Sequence, residues 1–262
     1  MRITSLGFRT DVALRVLEGA EVADRGDCLV IRTWANPDFW WGNFLLLAGL
    51  PGPGEANVWL ARFAAEFPAA RHVALGVDVT DDPEIPEDFA AAGLEADRAT
   101  VLATAELRPP AHLNTEAEIR PLEGDADWRQ SVGLAARCFD NGEPGEFLER
   151  RAAARRRLTQ TGAGVWFGAF TGGRLLAQLG LFDVGDGFAR FQHVETDPAA
   201  RRRGLAGTLV WTAGRYGREV LGTGTLVIVA DPAGGAIRVY RACGFTAQQS
   251  QLSFERPPGR SA

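Results

Sequence analysis

Apolar and polar positions along this chain follow two rhythms, period two and period 3.6, and the switches between them mark out strands and helices. From position 119 onward the succession is clear. Residues 119–122 predict a strand, and 125–139 and 144–159, rich in Ala, Leu and Arg, predict two helices. Residues 164–170 and 175–183 predict strands joined at Thr171-Gly172-Gly173-Arg174, a hairpin signal. A strand at 188–196, a helix at 208–218, a continuous apolar strand at 226–230, a helix from Ala236 and a closing strand at 247–255 complete the order β-α-α-β-β-β-α-β-α-β. The polar stretch 107–115, with Pro109-Pro110, reads as a linker. Before it the pattern echoes the later half. It runs as a strand at 44–48, a turn Pro51-Gly52-Pro53-Gly54, and a helix at 55–67 with Val58, Leu60, Phe63 and Phe67 on or near one face. A buried strand at 72–79, a short helix at 84–92 and a strand at 100–107 follow.

Composition narrows the picture. With 46% hydrophobic and 23% charged residues the chain is globular, not disordered. All 28 basic residues are arginine. The absence of lysine excludes Schiff-base and pyridoxal-phosphate chemistry and any Gly-Lys-Ser/Thr phosphate loop. Three cysteines, Cys28, Cys138 and Cys243, stand at no zinc spacing, and with three histidines no metal is expected. Cysteine usage and the lack of a secretory leader point to the cytoplasm, and no apolar run approaches the ~18 residues of a membrane span. Net charge is −5 and unevenly placed. Residues 1–110 hold 9 Arg against 17 acids, net −8; residues 111–262 hold 19 against 16, net +3. A polyanionic ligand belongs with the second half, and without a long basic face nucleic acid is not an expected partner.

The segment Arg201-Arg202-Arg203-Gly204-Leu205-Ala206-Gly207 lies between a strand and a helix. A glycine-containing turn that opens a helix aims unpaired N–H groups and the positive end of the helix dipole at one point, which suits a pyrophosphate. Arg201, Gly204 and Ala206 match Arg/Gln-x-x-Gly-x-Gly/Ala, Pro198 stands three residues before it, and Ala236, Tyr240, Gly244 and Phe245 follow downstream. Together these resemble the GNAT superfamily of N-acetyltransferases over residues 116–256. One departure is Ala233, where an asparagine is often found. The resemblance implies an α+β fold (mixed α/β sheet), the GNAT acyl-CoA N-acyltransferase fold, in two tandem domains. Residues 1–110 would be a degenerate copy without a cofactor site, since prolines and Glu55 stand where its phosphate loop would be. Residues 111–262 would be the catalytic domain, with acetyl-CoA as co-substrate.

The resemblance also assigns roles. Backbone amides of Arg202, Arg203, Gly204, Leu205, Ala206 and Gly207 would hold the pyrophosphate, with the Arg202 and Arg203 side chains either reaching phosphates or supplying diffuse attraction. Val194 and Thr196, with Glu195 between them, would line the pantetheine arm. Tyr240 would protonate or stabilise the departing thiolate, unless it is a core tyrosine under the cofactor. Glu195, directly or through water, is the preferred base for a primary amine or peptide acceptor. His193, on the same strand face by alternation, competes with it. Asp140 and Glu143 lie where the family's acceptor pocket forms, or in a solvated turn. Phe39, Trp40 and Trp41 form either an acceptor wall or a core contact between the halves. A monomer or homodimer is expected. The alternative to an enzyme is a non-catalytic acyl-CoA-binding sensor or scaffold module.

Overall fold

The continuous apolar runs of the first half are strands covered on both faces. The computed structural model describes residues 1–138 and 145–258. Helix α1 (Leu6–Leu17) precedes the hairpin β1 (Glu21–Asp24) and β2 (Cys28–Arg32). β3 (Asn43–Leu47), α2 (Ala56–Glu66), β4 (Val73–Val77), α3 (Glu87–Ala91) and β5 (Glu95–Thr104) follow. On one face of the strands Leu45, Leu47, Leu75 and Val77 pack with Trp59, Phe63 and Phe89 from α2 and α3. On the other, Phe44, Leu46 and Ala74 pack with Phe8 and Val12 of α1. Two covered faces explain why β3 and β4 lack polar alternation. Helix α1 and the β1–β2 hairpin went unseen in the pattern. The buried face of α1 includes Gly7, Thr10 and Arg15, which do not score as apolar. Arg15 is 2% exposed, ion-paired to Glu18 at 2.6 Å and set 5.0 Å from the Phe39 ring. The Phe39–Trp41 cluster also packs within this unit: Trp40 stacks on His72 at 5.8 Å, and Trp41 lies against Phe44 at 5.4 Å.

The remaining elements are β6 (Glu118–Pro121), α4 (Gly124–Cys138), α5 (Gly145–Gln160), β7 (Gly164–Thr171), β8 (Arg174–Asp183) and β9 (Phe188–Thr196). After them come a 3-10 turn (Pro198–Ala200), α6 (Leu205–Glu219), β10 (Thr225–Ala230), α7 (Ala236–Ala242) and β11 (Thr246–Arg256). The chain divides into two compact units, Met1–Val101 with Gln248–Ala262, and Leu102–Ala247. In the second unit β6, β7, β8 and β9 run antiparallel and β10 is parallel to β9. One face carries Phe167, Leu179, Leu181 and Phe191 against Leu205, Leu209 and Ala213 of α6 and Ile237 and Tyr240 of α7. The opposite face, holding Trp166 and Gln178, meets Trp128 and Ser131 of α4.

The last strand, β11, is part of the first unit. It pairs antiparallel with β4, Leu252 opposite Val77 and Arg256 opposite Val73, and buries Leu252 and Phe254 completely in that unit's core. Phe254 meets Phe89 at 4.3 Å. Truncating Phe254 to alanine should therefore destabilise the first unit by about 3–5 kcal/mol, the usual loss for a buried phenylalanine. Hydrogen exchange should accelerate at the β4 amides (Val73–Val77). Unchanged β4 protection would contradict this account.

Candidate active site

Strand β9 carries one residue more than its partner. Opposite β8, Gln178 faces Glu195 and Gly180 faces Gln192, so His193 and Val194 share the place across from Leu179. His193 takes φ +45°, a left-handed backbone that a non-glycine residue rarely adopts, and the result is a β-bulge. On the other side β9 pairs with β10 through Arg190 opposite Val227, and pairing stops there although β10 runs on to Ala230. The bulge thus coincides with an opening between two parallel strands. The backbone of Val194 and Glu195 lies beyond the last pair with β10. Val194, Glu195 and Thr196 all lie at this end of the strand, Val194 packed toward the α6 face.

The loop after β9 is held from both ends. Asp197 accepts from Ala199 N at 3.1 Å, Arg137 Nε at 3.0 Å and Arg174 Nη2 at 3.1 Å. Burial pushes its carboxyl up, but the Ala199 amide and the two guanidiniums outweigh burial and hold it below the ordinary carboxylate range. Asn114 donates to Arg203 O at 2.8 Å, and its own N–H donates to Thr208 Oγ1. Gly204, at φ +77°, caps α6; a Cβ there would stand 3.2 Å from His112 O. The first bond of the helix runs from Thr208 N to Gly204 O. The amides of Leu205, Ala206 and Gly207 precede it, and among the described residues no side chain accepts from them. Arg201, Arg202 and Arg203 are exposed, with Arg203 paired to Glu116 at 3.1 Å. This helix begins three residues before its apolar periodicity does, because Leu205-Ala206-Gly207 offers little pattern to read.

The corresponding turn of the first unit is filled by that unit's own acids. Glu55 Oε2 accepts from Gly52 N at 2.9 Å, and Asp88 Oδ2 accepts from Ala56 N, the first residue of α2, at 2.9 Å.

Glu195 is 8% exposed and sits in a polar cluster inside an apolar layer. Its Oε2 accepts from Gln178 Nε2 at 2.5 Å, while Oε1 accepts no hydrogen bond among the described residues and lies 3.8 Å from His193 Nδ1. Burial, the dominant influence, raises Glu195 above the ordinary carboxylate range, against the Arg155 charge, the Gln178 hydrogen bond and the Arg151 charge. Arg151 Nη2 lies 2.6 Å from His193 Nε2. A guanidinium can only donate, so Nε2 accepts and the ring proton belongs on Nδ1, toward Glu195. Sequence alternation paired His193 with Glu195, and the two do meet. It gave no role to Gln178, Trp166, Arg151 or Arg155. The signals were a lone amide in the run Leu175–Phe182 and two arginines spaced i, i+4 on α5.

Tyr240 stands apart from this cluster. Its ring is 4% exposed, edge-on to Phe245 at 6.4 Å, and its hydroxyl makes no hydrogen bond among the described residues. Burial, with Cys243 adding to it, raises the phenol above its ordinary pKa, so it keeps its proton through the physiological range. Burial likewise pushes the Cys138 and Cys243 thiols up to about 11, and neither is a nucleophile near neutral pH. Asp140 and Glu143 lie outside the described residues. Among the described residues no group of three or more His, Cys, Asp and Glu is arranged to hold a metal, and no helix is long and apolar enough to cross a membrane.

Three comparisons bear on this geometry. Residues 128–245 match the acetyltransferase (GNAT) family model. Among curated proteins no sequence match is found. Solved structures share the fold over nearly the whole chain. A functionally unknown conserved protein from Staphylococcus epidermidis has TM-score 0.71 at 10% identity, covering 91% of this chain and 94% of that one. A GCN5-related N-acetyltransferase from Kribbella flavida has TM-score 0.64 at 15% identity, covering 97% and 98%. A tandem GNAT protein from the clavulanic acid biosynthesis pathway has TM-score 0.57 at 14% identity, covering 100% and 91%. The bulged strand, the glycine-capped helix and the buried tyrosine after it all fall within residues 128–245, the segment that matches the acetyltransferase (GNAT) family model.

Proposed function

We propose that the second unit transfers the acetyl group of acetyl-CoA to a primary amine by direct attack in a ternary complex. Acetyl-CoA, when bound, supplies the acyl thioester. The free amides of Leu205, Ala206 and Gly207 and the exposed arginines beside them fit its pyrophosphate, and the edge of β9 at Val194 and Glu195, beyond its pairing with β10, fits the amides of its pantetheine arm. Glu195 removes a proton from the acceptor ammonium, directly or through water. Tyr240, held protonated, donates to the leaving sulfur. The observation that carries the reading is Glu195 itself: a carboxylate in an apolar layer, one oxygen occupied and the other with no donor. Burying such a charge costs stability, and a carboxyl kept at that cost beside an open strand edge is a candidate for function. We assign no cofactor to the first unit, because Glu55 and Asp88 occupy the amides that a phosphate would need.

CoA release measured against a panel of amines, aminoglycosides and peptides tests the reaction. Glu195→Gln should lower turnover by ~10²-fold or more, the usual size of one acid–base contribution. Tyr240→Phe should lower kcat and leave acetyl-CoA affinity in place. Full activity in both variants would end the assignment.

Binding has its own test. Acetyl-CoA at a hundredfold over its Kd should stabilise the protein by about 2.7 kcal/mol, read as a rise in Tm. Calorimetry should give one site per chain. Gly204 is a poor probe, since its positive φ and the His112 carbonyl would strain any side chain. Ala206→Asp is better: an acid in the first turn suits the helix dipole yet repels phosphate. It should melt like the wild type alone and lose the acetyl-CoA shift.

Glu195 also predicts a pH effect on stability. Its folded pKa is raised, so as pH rises the unfolded chain ionises first and the native state loses ground until its own carboxyl ionises. Glu195→Gln removes that loss. The variant should match the wild-type Tm at acid pH and exceed it at neutral pH; an equal difference at every pH would contradict the buried charge.

A further inference from the structure

Trp166, Gln178 and Glu195 form a line of hydrogen bonds whose direction is fixed. Trp166 Nε1 donates to Gln178 Oε1 at 3.1 Å. Gln178 Nε2 spends both its protons, one on Ser131 O at 3.2 Å and one on Glu195 Oε2 at 2.5 Å. An indole N–H only donates, a main-chain carbonyl only accepts, and an ionised carboxylate only accepts. Flipping the amide would set donor against donor at Trp166 and oxygen against oxygen at Ser131 and Glu195. Gln178 is fully buried, and Trp166 and Ser131 are each 1% exposed. Packing alone would favour leucine at this place in an apolar strand, because a buried amide destabilises unless all its groups are paired.

We propose that Gln178 is a positioning residue for the acyl transfer, holding Glu195 by Oε2 so that Oε1 is the oxygen offered to the acceptor amine. This rests on the reading of Glu195 as the base. The hydrogen bond acts in two ways. It is the one hydrogen bond that Glu195's carboxylate accepts among the described residues, so it fixes the rotamer, and it favours the ionised form that can accept a proton. Other groups facing Glu195 come from several elements. Arg151 and Arg155 on α5 remain charged throughout. The Cys138 thiol on α4 stays neutral below its raised pKa. His193 on the same strand places Nδ1 3.8 Å from Glu195 Oε1. Asp140 and Glu143 belong to the segment outside the described residues.

The test is the pH dependence of kcat/KM, followed as CoA release, for the wild type and for Gln178→Met, Trp166→Phe and Glu195→Gln. With the donor removed, Glu195 should hold its proton to higher pH. Gln178→Met should then move the acid-side limb upward and lower kcat/KM at pH 7 by about tenfold or more. Activity should recover as pH rises, with KM for acetyl-CoA unchanged. Trp166→Phe keeps the glutamine but frees its amide, and should shift the limb less and in the same direction. A folded Gln178→Met protein with the wild-type limb, or with a loss equal at every pH, would overturn the proposal. If that variant does not fold, an unshifted limb in Trp166→Phe overturns it instead. Glu195→Gln keeps the two failures apart: if that variant retains full activity and the same profile, the base reading itself is wrong.

Discussion

The extra residue at His193 decides what each edge of β9 can do. Toward β8 it shifts the register by one, so that Glu195 comes to stand across from Gln178. Toward β10 it lies beyond the last parallel pair, Arg190 with Val227, where β9 has no partner from β10. Buried main-chain groups are otherwise almost always paired, so a strand edge that its neighbour does not cover is a place where something else can hydrogen-bond. The same strand then runs into Asp197, whose contacts with Arg137, Arg174 and Ala199 fix the turn leading to the Gly204 cap. A carboxylate, an open strand edge and a set of free helix amides therefore follow one another within 13 residues, from Glu195 to Gly207. Each inherits its position from the one before.

The two units show how little separates a phosphate-ready helix start from a closed one. Both have a turn rich in glycine or proline before an amphipathic helix. In the first unit, Glu55 and Asp88 satisfy the amides internally and complement the helix dipole. In the second, the nearby side chains are arginines, and the Asn114 contacts tie down the surrounding backbone without covering the amides of Leu205 to Gly207. The charge asymmetry read along the chain, −8 against +3, is the coarse trace of that local difference.

Much of this was legible in the residues. The hairpin at 171–174, the apolar strand at 226–230 and the Arg201–Gly207 loop carry patterns that depend only on neighbours along the chain, and each stands where the pattern put it. The pairing of His193 with Glu195 also survived, although by a route that alternation does not describe, since the bulge interrupts the period between them. What escaped depended on partners far away in sequence. Arg15 is buried because Asp11, Glu18 and Phe39 surround it; read alone, it disguises the inner face of α1. Gln178 looks like a defect in an apolar strand until Trp166 and Ser131 appear beside it. The closing strand at 247–255 was correctly patterned as a strand, yet nothing local reveals that its partner is β4, about 170 residues earlier.

That last pairing bears on how the chain is made. Residues of the second unit, Leu102–Ala247, are contiguous, so all of them are synthesised before Gln248 and the strand residues that follow it. The first unit, although begun first, lacks Leu252 and Phe254 until the second unit's residues have been made. Its β4 edge must wait, open, through the synthesis of everything between. Exposed strand edges are hazards for misassembly, and here the hazard is timed by translation: the unit begun first cannot be completed until the residues of the second have been made.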